Sequence, residues 1–180
     1  MTNQRRIRLG MVGGGQGAFI GAVHRIAARM DDHYELVAGA LSSDPKRARA
    51  SGRELGLEPD RIYPDFREMA KAEASRPDGI EAVSIVTPNH LHFSAAKAFI
   101  DAGIHVICDK PMTLDLKEAR ALAVLLGKRK DVILALTHNY SGYPMVRQAR
   151  AMIQAGELGT IRLVEGEYPQ DWLTTPLERS

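Results

Sequence analysis

The stretch that most constrains this chain lies near its start. A short apolar run, Ile7–Val12, breaks into Gly13-Gly14-Gly15-Gln16-Gly17, and from Ala18 to Met30 apolar residues return at helical spacing as Phe19, Ile20, Val23, Ile26 and Ala27. A continuous apolar run followed by a 3.6-residue period reads as strand, glycine-rich turn, helix.

The same alternation continues. Leu36–Leu41 is a second run, followed by Ser42-Ser43-Asp44-Pro45, where Ser43 or Asp44 can cap a helix carrying Pro45 in its first turn and reaching about Leu55. Arg61–Tyr63 reads as a brief strand and Pro64–Ala74 as a helix with Phe66, Met69 and Ala70 inward. Ile80–Val86 is a strand ended by Thr87-Pro88-Asn89, and Leu91–Ala102 a helix ended by Gly103. Ile104–Cys108 is a strand closed by Asp109-Lys110-Pro111. Thr113 or Asp115 then starts a helix stopping at Gly127, and Val132–Leu136 is the last run. None of these runs shows the in–out alternation of a one-sided sheet, so both faces should be covered, as in a doubly wound parallel α/β sheet of Rossmann type.

After Thr137 the texture changes. A polar, aromatic, turn-rich stretch from His138 to Pro144 leads into a helix, Met145–Ala155, and Ile161–Tyr168 alternates apolar and polar like a strand with one solvated face, with Gln170-Asp171-Trp172 as the following turn. The expected organisation is one domain over 1–138, and over 139–180 a linker helix with the first strand of a second α+β domain, most of which is not encoded. Exposed Val164, Tyr168 and Trp172 would then be adhesive.

Composition excludes several classes. With 44% apolar and 26% charged residues among 180, the chain is neither disordered nor fibrous. The net charge is +2 with both signs interspersed, so no basic stripe for nucleic acid exists. Cys108 is the lone cysteine, excluding an intrachain disulfide, and no Cys/His cluster has metal spacing. No apolar run approaches a membrane span, and the expected compartment is the cytoplasm.

Between a strand and a helix, Gly13, Gly15 and Ala18 satisfy G-x-G-x-x-G/A. Small residues there let the backbone approach a pyrophosphate at a helix N-terminus, with Gln16, Gly17, Phe19 and Ile20 completing the turn. The alternative is a tight turn without ligand. It is not a P-loop, because no Gly-Lys-Ser/Thr follows. At the end of the second strand an acid would bind a ribose 2′-hydroxyl, but the residues here are Ser42 and Ser43, with Asp44 placed to cap and Lys46 and Arg47 beyond it. Two hydroxyls and two cations suit a 2′-phosphate and lean slightly to NADP over NAD; both cations also suit a solvated helix face.

With Gly13–Gly21 and His24, Thr87-Pro88-Asn89 and His92, Asp109-Lys110-Pro111, and Gly156-Glu157-Leu158-Gly159 in this order, the chain resembles the Gfo/Idh/MocA oxidoreductases along essentially its whole length. The resemblance implies an NAD(P)-dependent enzyme acting on a sugar- or polyol-like secondary alcohol, working as a homo-oligomer without nucleic acid or membrane. It assigns Lys110 of the Asp-Lys-Pro motif as catalytic beside the nicotinamide. Thr87, Pro88, Asn89, Asp109 and Asn139 would be cofactor contacts. His92 is assigned there too, with a structural hydrogen bond as its alternative. The first loop looks about three residues longer than usual in the family, so its third glycine is Ala18's position or Gly21. His138, Tyr140 and Tyr143 are further pocket candidates, whereas His33 and His105 read as structural. The competing expectation is a dinucleotide-binding module without catalysis.

Overall fold

A computed structural model describes residues 5–169. The chain divides into two compact units, 1–138 and 139–180.

The first unit is an all-parallel five-stranded sheet in the order β2-β1-β3-β4-β5, formed by β1 (Ile7–Gly13), β2 (Tyr34–Ala40), β3 (Ala82–Val86), β4 (His105–Cys108) and β5 (Leu134–Leu136). The crossovers carry α1 (Phe19–Met30), α2 (Pro45–Glu54), α3 (Phe66–Ser75), α4 (His92–Asp101) and α5 (Leu116–Lys128). The chain winds outward from β1 in one direction to β2 and in the other to β3, so the strand order reverses between β1 and β3, with Val12 opposite Ile85 and Gly13 opposite Val86. Crevices at such reversals, beyond the carboxyl ends of the strands, are where open α/β sheets take ligands.

β3 is buried along its entire length, as the continuous run Ala82–Val86 requires. Val83 and Ile85 enter a core with Val106, Cys108, Phe99, Ile100 and Met69, and Val86 joins a second cluster with Met11, Leu41 and Leu57. α2, α3 and α5 are started by Asp44, Asp65 and Asp115, whose carboxylates accept from backbone N–H groups of Arg47, Arg67 and Glu118. The turn before α3 is fastened by a buried charge cluster. Glu73 accepts from the Arg61 guanidinium, from Tyr63 Oη at 2.7 Å and from Ile80 N at 3.0 Å. Burial and Glu73 together push the Tyr63 phenol up to about 12.

Three elements depart from expectation. Arg61–Tyr63 makes no strand, only a 3₁₀ turn over Pro59–Arg61 and one bridge between Gly39 and Ile62, because Arg61 turns inward to Glu73. α5 continues through Gly127 to Lys128, and Arg129 ends it. A single glycine costs a helix only about 1 kcal/mol, too little to stop one already packed through Leu122.

In the second unit a short turn, Asn139–Gly142, precedes α6 (Pro144–Gln154), which ends before Gly156 at φ +76°. Tyr140 makes edge-to-face contacts with Tyr143 and Tyr168, and the Tyr140 and Tyr168 hydroxyls lie 2.9 Å apart. The strand expected at Ile161–Tyr168 is not formed, since no segment among the described residues offers it a ladder partner; Val164 and Tyr168 are exposed. The expected turn at Gln170-Asp171-Trp172 lies outside the described residues.

Candidate cofactor and active site

The glycine turn is shaped by the crowding behind it. Gly14 has φ +74°, open to glycine at no cost, and a Cβ there would lie 2.9 Å from the Gly21 Cα and from Val86 Cγ2. A Cβ on Gly21 would come within 2.4 Å of the Gly14 Cα and 2.7 Å of its carbonyl oxygen. Close helix-to-turn packing, the role a third glycine serves, therefore falls to Gly21. Ala18 is instead the exposed N-cap of α1, with no side-chain cap and no acidic residue in the first turn. The leading N–H groups of α1 and the positive end of its dipole are left for an outside anion. α4 and α6 also lack a side-chain cap, but neither follows a glycine turn.

In front of the turn lies a cleft of about 630 Å³. It gathers Gly13, Gly15, Gln16 and Ala18 from the turn, Ser42 and Ser43 from beyond the end of β2, Arg47 from the first turn of α2, and Thr87 and Pro88 from the end of β3. Gly17 lines a smaller pocket with Ser51 and Glu54 instead, where Gln16 donates to Ser51 Oγ at 2.9 Å and to Glu54. Phe19 stands exposed, Ile20 packs on the Met11 and Leu41 cluster, and Lys46 and Asn89 are exposed outside the cleft lining. Asp44 serves the α2 cap, accepting from Arg47 N at 2.8 Å, which pulls its carboxyl below the usual range.

Sequence reasoning missed the far wall, formed by Pro64, Asp65, Phe66 and Arg67, with His90 and Leu91 near β3. Arg67 lies over the Phe66 ring, 4.4 Å from its centroid. These residues open α3 and carry no motif; an aspartate ahead of the helical spacing, Asp65, is the one signal that could have marked the start of this helix.

Lys110 follows β4 directly, exposed and without an ion pair among the described residues, and a cis peptide joins it to Pro111. Asp109 turns away from solvent: its Oδ1 accepts from Thr137 Oγ1 at 2.9 Å and lies 4.0 Å from His24 Nε2. The other His24 nitrogen meets Ser84 Oγ at 2.8 Å. Burial lowers the His24 pKa, partly opposed by Asp109. The folded ring thus resists a proton that the unfolded ring accepts below its ordinary 6.5, so stability should fall as pH drops through that value. Melting temperatures between pH 7.5 and 5 should decline less steeply in His24→Gln than in the parent; parallel curves would remove His24 as a source of the slope. His92 has no exposed surface and spans two loop carbonyls, so it does not line the cleft. His105 accepts from Ile133 N, a structural bond. Asn139 lies in the second unit, donating to Tyr143 Oη at 3.1 Å. Among the described residues no cluster could hold a metal ion, and no helix is long and apolar enough to cross a membrane.

The description of an oxidoreductase family with an NAD-binding Rossmann fold, the Gfo/Idh/MocA family, matches residues 7–138. The chain belongs to this family. An uncharacterized oxidoreductase of Bacillus subtilis, YfiI, is 41% identical over 97% of this chain and 46% of its own length. The crystal structure of an oxidoreductase from Sinorhizobium meliloti is 66% identical with a TM-score of 0.89, over 95% of this chain and 47% of that one. An inositol dehydrogenase homolog from Azotobacter vinelandii, solved with NADH and myo-inositol, is 47% identical with a TM-score of 0.84, over 88% of this chain and 41% of that one. The family member described here therefore spans less than half the length of these relatives.

Proposed function

We propose that this family member binds a nicotinamide dinucleotide across the cleft and, joined to a substrate-bearing second domain, interconverts a sugar- or polyol-like secondary alcohol and its ketone. The observation that carries the reading is the uncapped start of α1, presented by a glycine turn at the strand reversal and facing the cleft. Thr87 supports it: its hydroxyl oxygen is buried in the cleft wall without a hydrogen-bond partner among the described residues, a cost of about 1–3 kcal/mol that a group entering the cleft would remove. The myo-inositol held by the Azotobacter relative supports the polyol class.

When bound, the nicotinamide supplies a hydride acceptor or donor at its C4. The turn and the first N–H groups of α1 hold the diphosphate. Ser42, Ser43 and Arg47 take the adenosine ribose, with the Asp44 carboxylate turned to its cap on the Arg47 N–H. Arg47 and Arg67, the latter 3.3 Å from the Asp65 carboxylate in the same wall, lean the site towards NADP. Lys110, at the carboxyl edge of β4, would hold the substrate oxygen and, as the neutral amine, take the hydroxyl proton when the alcohol is oxidised, returning it from the ammonium when the ketone is reduced. A dinucleotide-binding module without turnover is the second reading; it is favoured by Lys110 being exposed and without an ion pair among the described residues.

Titration of the chain with NADH and NADPH, followed by nucleotide fluorescence, should give saturable binding that is tighter for NADPH. Equal affinities would remove the preference, and no binding would remove the reading. In an active two-domain form, Lys110→Ala should lower kcat at least about 100-fold with cofactor affinity changed only a few-fold. Retained turnover would sink the role of Lys110, and binding without turnover in the parent would favour the module.

A further inference from the structure

His92 opens α4 with no exposed surface, and each ring nitrogen faces a backbone carbonyl. Nδ1 lies 2.6 Å from the Pro111 oxygen and Nε2 2.9 Å from the Thr87 oxygen. The two carbonyls belong to the loops leaving β4 and β3, so one side chain ties together the segments that carry Lys110 and the unmet Thr87 hydroxyl. A carbonyl only accepts, so the ring is the donor: a neutral imidazole serves one of the two, and a second proton lets it serve both.

We propose that His92 is a positioning residue for Lys110, a buried clasp between the β3 and β4 loops. The proposal rests on the role given to Lys110 above. On the other flank Asp109 is fixed by Thr137 Oγ1 at 2.9 Å and donates its own N–H to the Ile85 oxygen at 2.9 Å. Lys110 itself has no ion pair among the described residues, so its place at the sheet edge is set by the anchoring of residues 109 and 111. The Pro111 carbonyl is the anchor on the far side, and His92 is what holds it.

The side chains of Asn and Gln separate the two bonds. Asn places its amide nitrogen near the position of Nδ1, on the Pro111 side, and Gln near that of Nε2, on the Thr87 side. Backbone 15N order parameters at Lys110 and Met112, measured on the 180-residue chain, should stay near about 0.85 in the parent and in His92→Asn. They should fall below about 0.6 in His92→Gln and His92→Phe, while Met11 and Val83 stay rigid. Equal order at Lys110 in all folded variants, or loosening spread evenly through β1 and β3, would overturn the clasp. Should the variants fail to fold, the parent decides: a His92 ring N–H protected from solvent exchange in 15N spectra supports the clasp, and a freely exchanging one overturns it. The measurement needs no turnover, so the two claims fail separately. Loosening with an active Lys110→Ala enzyme condemns only the role of Lys110, and an inactive Lys110→Ala enzyme with unchanged order condemns only the clasp.

Discussion

Glu73→Ala should cost about 3–5 kcal/mol. Glu73 is 1% exposed, and its carboxylate serves Arg61, Tyr63 and the Ile80 amide together. Removing it leaves the Arg61 guanidinium, itself 6% exposed, with only the Asp78 carbonyl at 3.2 Å and the Asp78 carboxylate at 3.6 Å as partners. The loss should appear in urea unfolding as a lower midpoint at an unchanged slope. The double variant Arg61→Met with Glu73→Leu should recover only the part owed to the ion pair, because the Tyr63 hydroxyl and the Ile80 N–H still lose their acceptor. If Glu73→Ala alone proved near neutral, the cluster would not be holding α3. The consequence reaches the cleft, since Phe66 and Arg67 in its far wall open the helix that carries Glu73.

The second large effect is expected at Gly21. A methyl group there meets the Cα and carbonyl oxygen of Gly14, both backbone atoms that cannot swing aside as a side chain would. Gly21→Ala should destabilise the chain by about 1–3 kcal/mol. By pushing α1 away from the turn it should also weaken dinucleotide binding at least about tenfold, roughly 1.4 kcal/mol. Gly127→Ala is the control: nothing lies within 4 Å of that site in α5, so the change should be neutral or stabilise by up to about 1 kcal/mol. Isothermal titration and thermal melts of the two variants side by side would decide. Wild-type affinity in Gly21→Ala would show that the turn tolerates displacement and does not set the anion site.

Much of this was legible in the residues. The runs ending at Val12, Val86 and Cys108 became the central strands, because burial on both faces leaves a continuous apolar signature. The Asp44 and Asp115 caps were visible because a carboxylate before a helix has one common use. Arg61–Tyr63 misled because a β-branched and an aromatic residue side by side, Ile62 and Tyr63, read as a brief strand, and nothing local announces that Glu73, twelve residues on from Arg61, will draw that arginine inward. The phosphate turn was found, but its packing glycine was not fixed, since only the approach of α1 to Gly14 distinguishes Gly21 from Ala18. His92 was left open between two uses, and the deciding carbonyl of Pro111 is nineteen residues away. The Pro64–Arg67 wall carries no periodic signal, being a loop and a helix mouth folded against the sheet edge from elsewhere.

The placement of β1 between β2 and β3 bears on how the protein is made. Gly13 and Gly14 rest against Val86 and Thr87, which pair or pack only once β3 exists. A nascent polypeptide that has left the ribosome as far as α3 already displays every glycine of the motif, yet it has no floor on which to seat a phosphate. A nucleotide seated on this turn would therefore find its floor only after the third strand has emerged, and would take no part in the first steps of assembly.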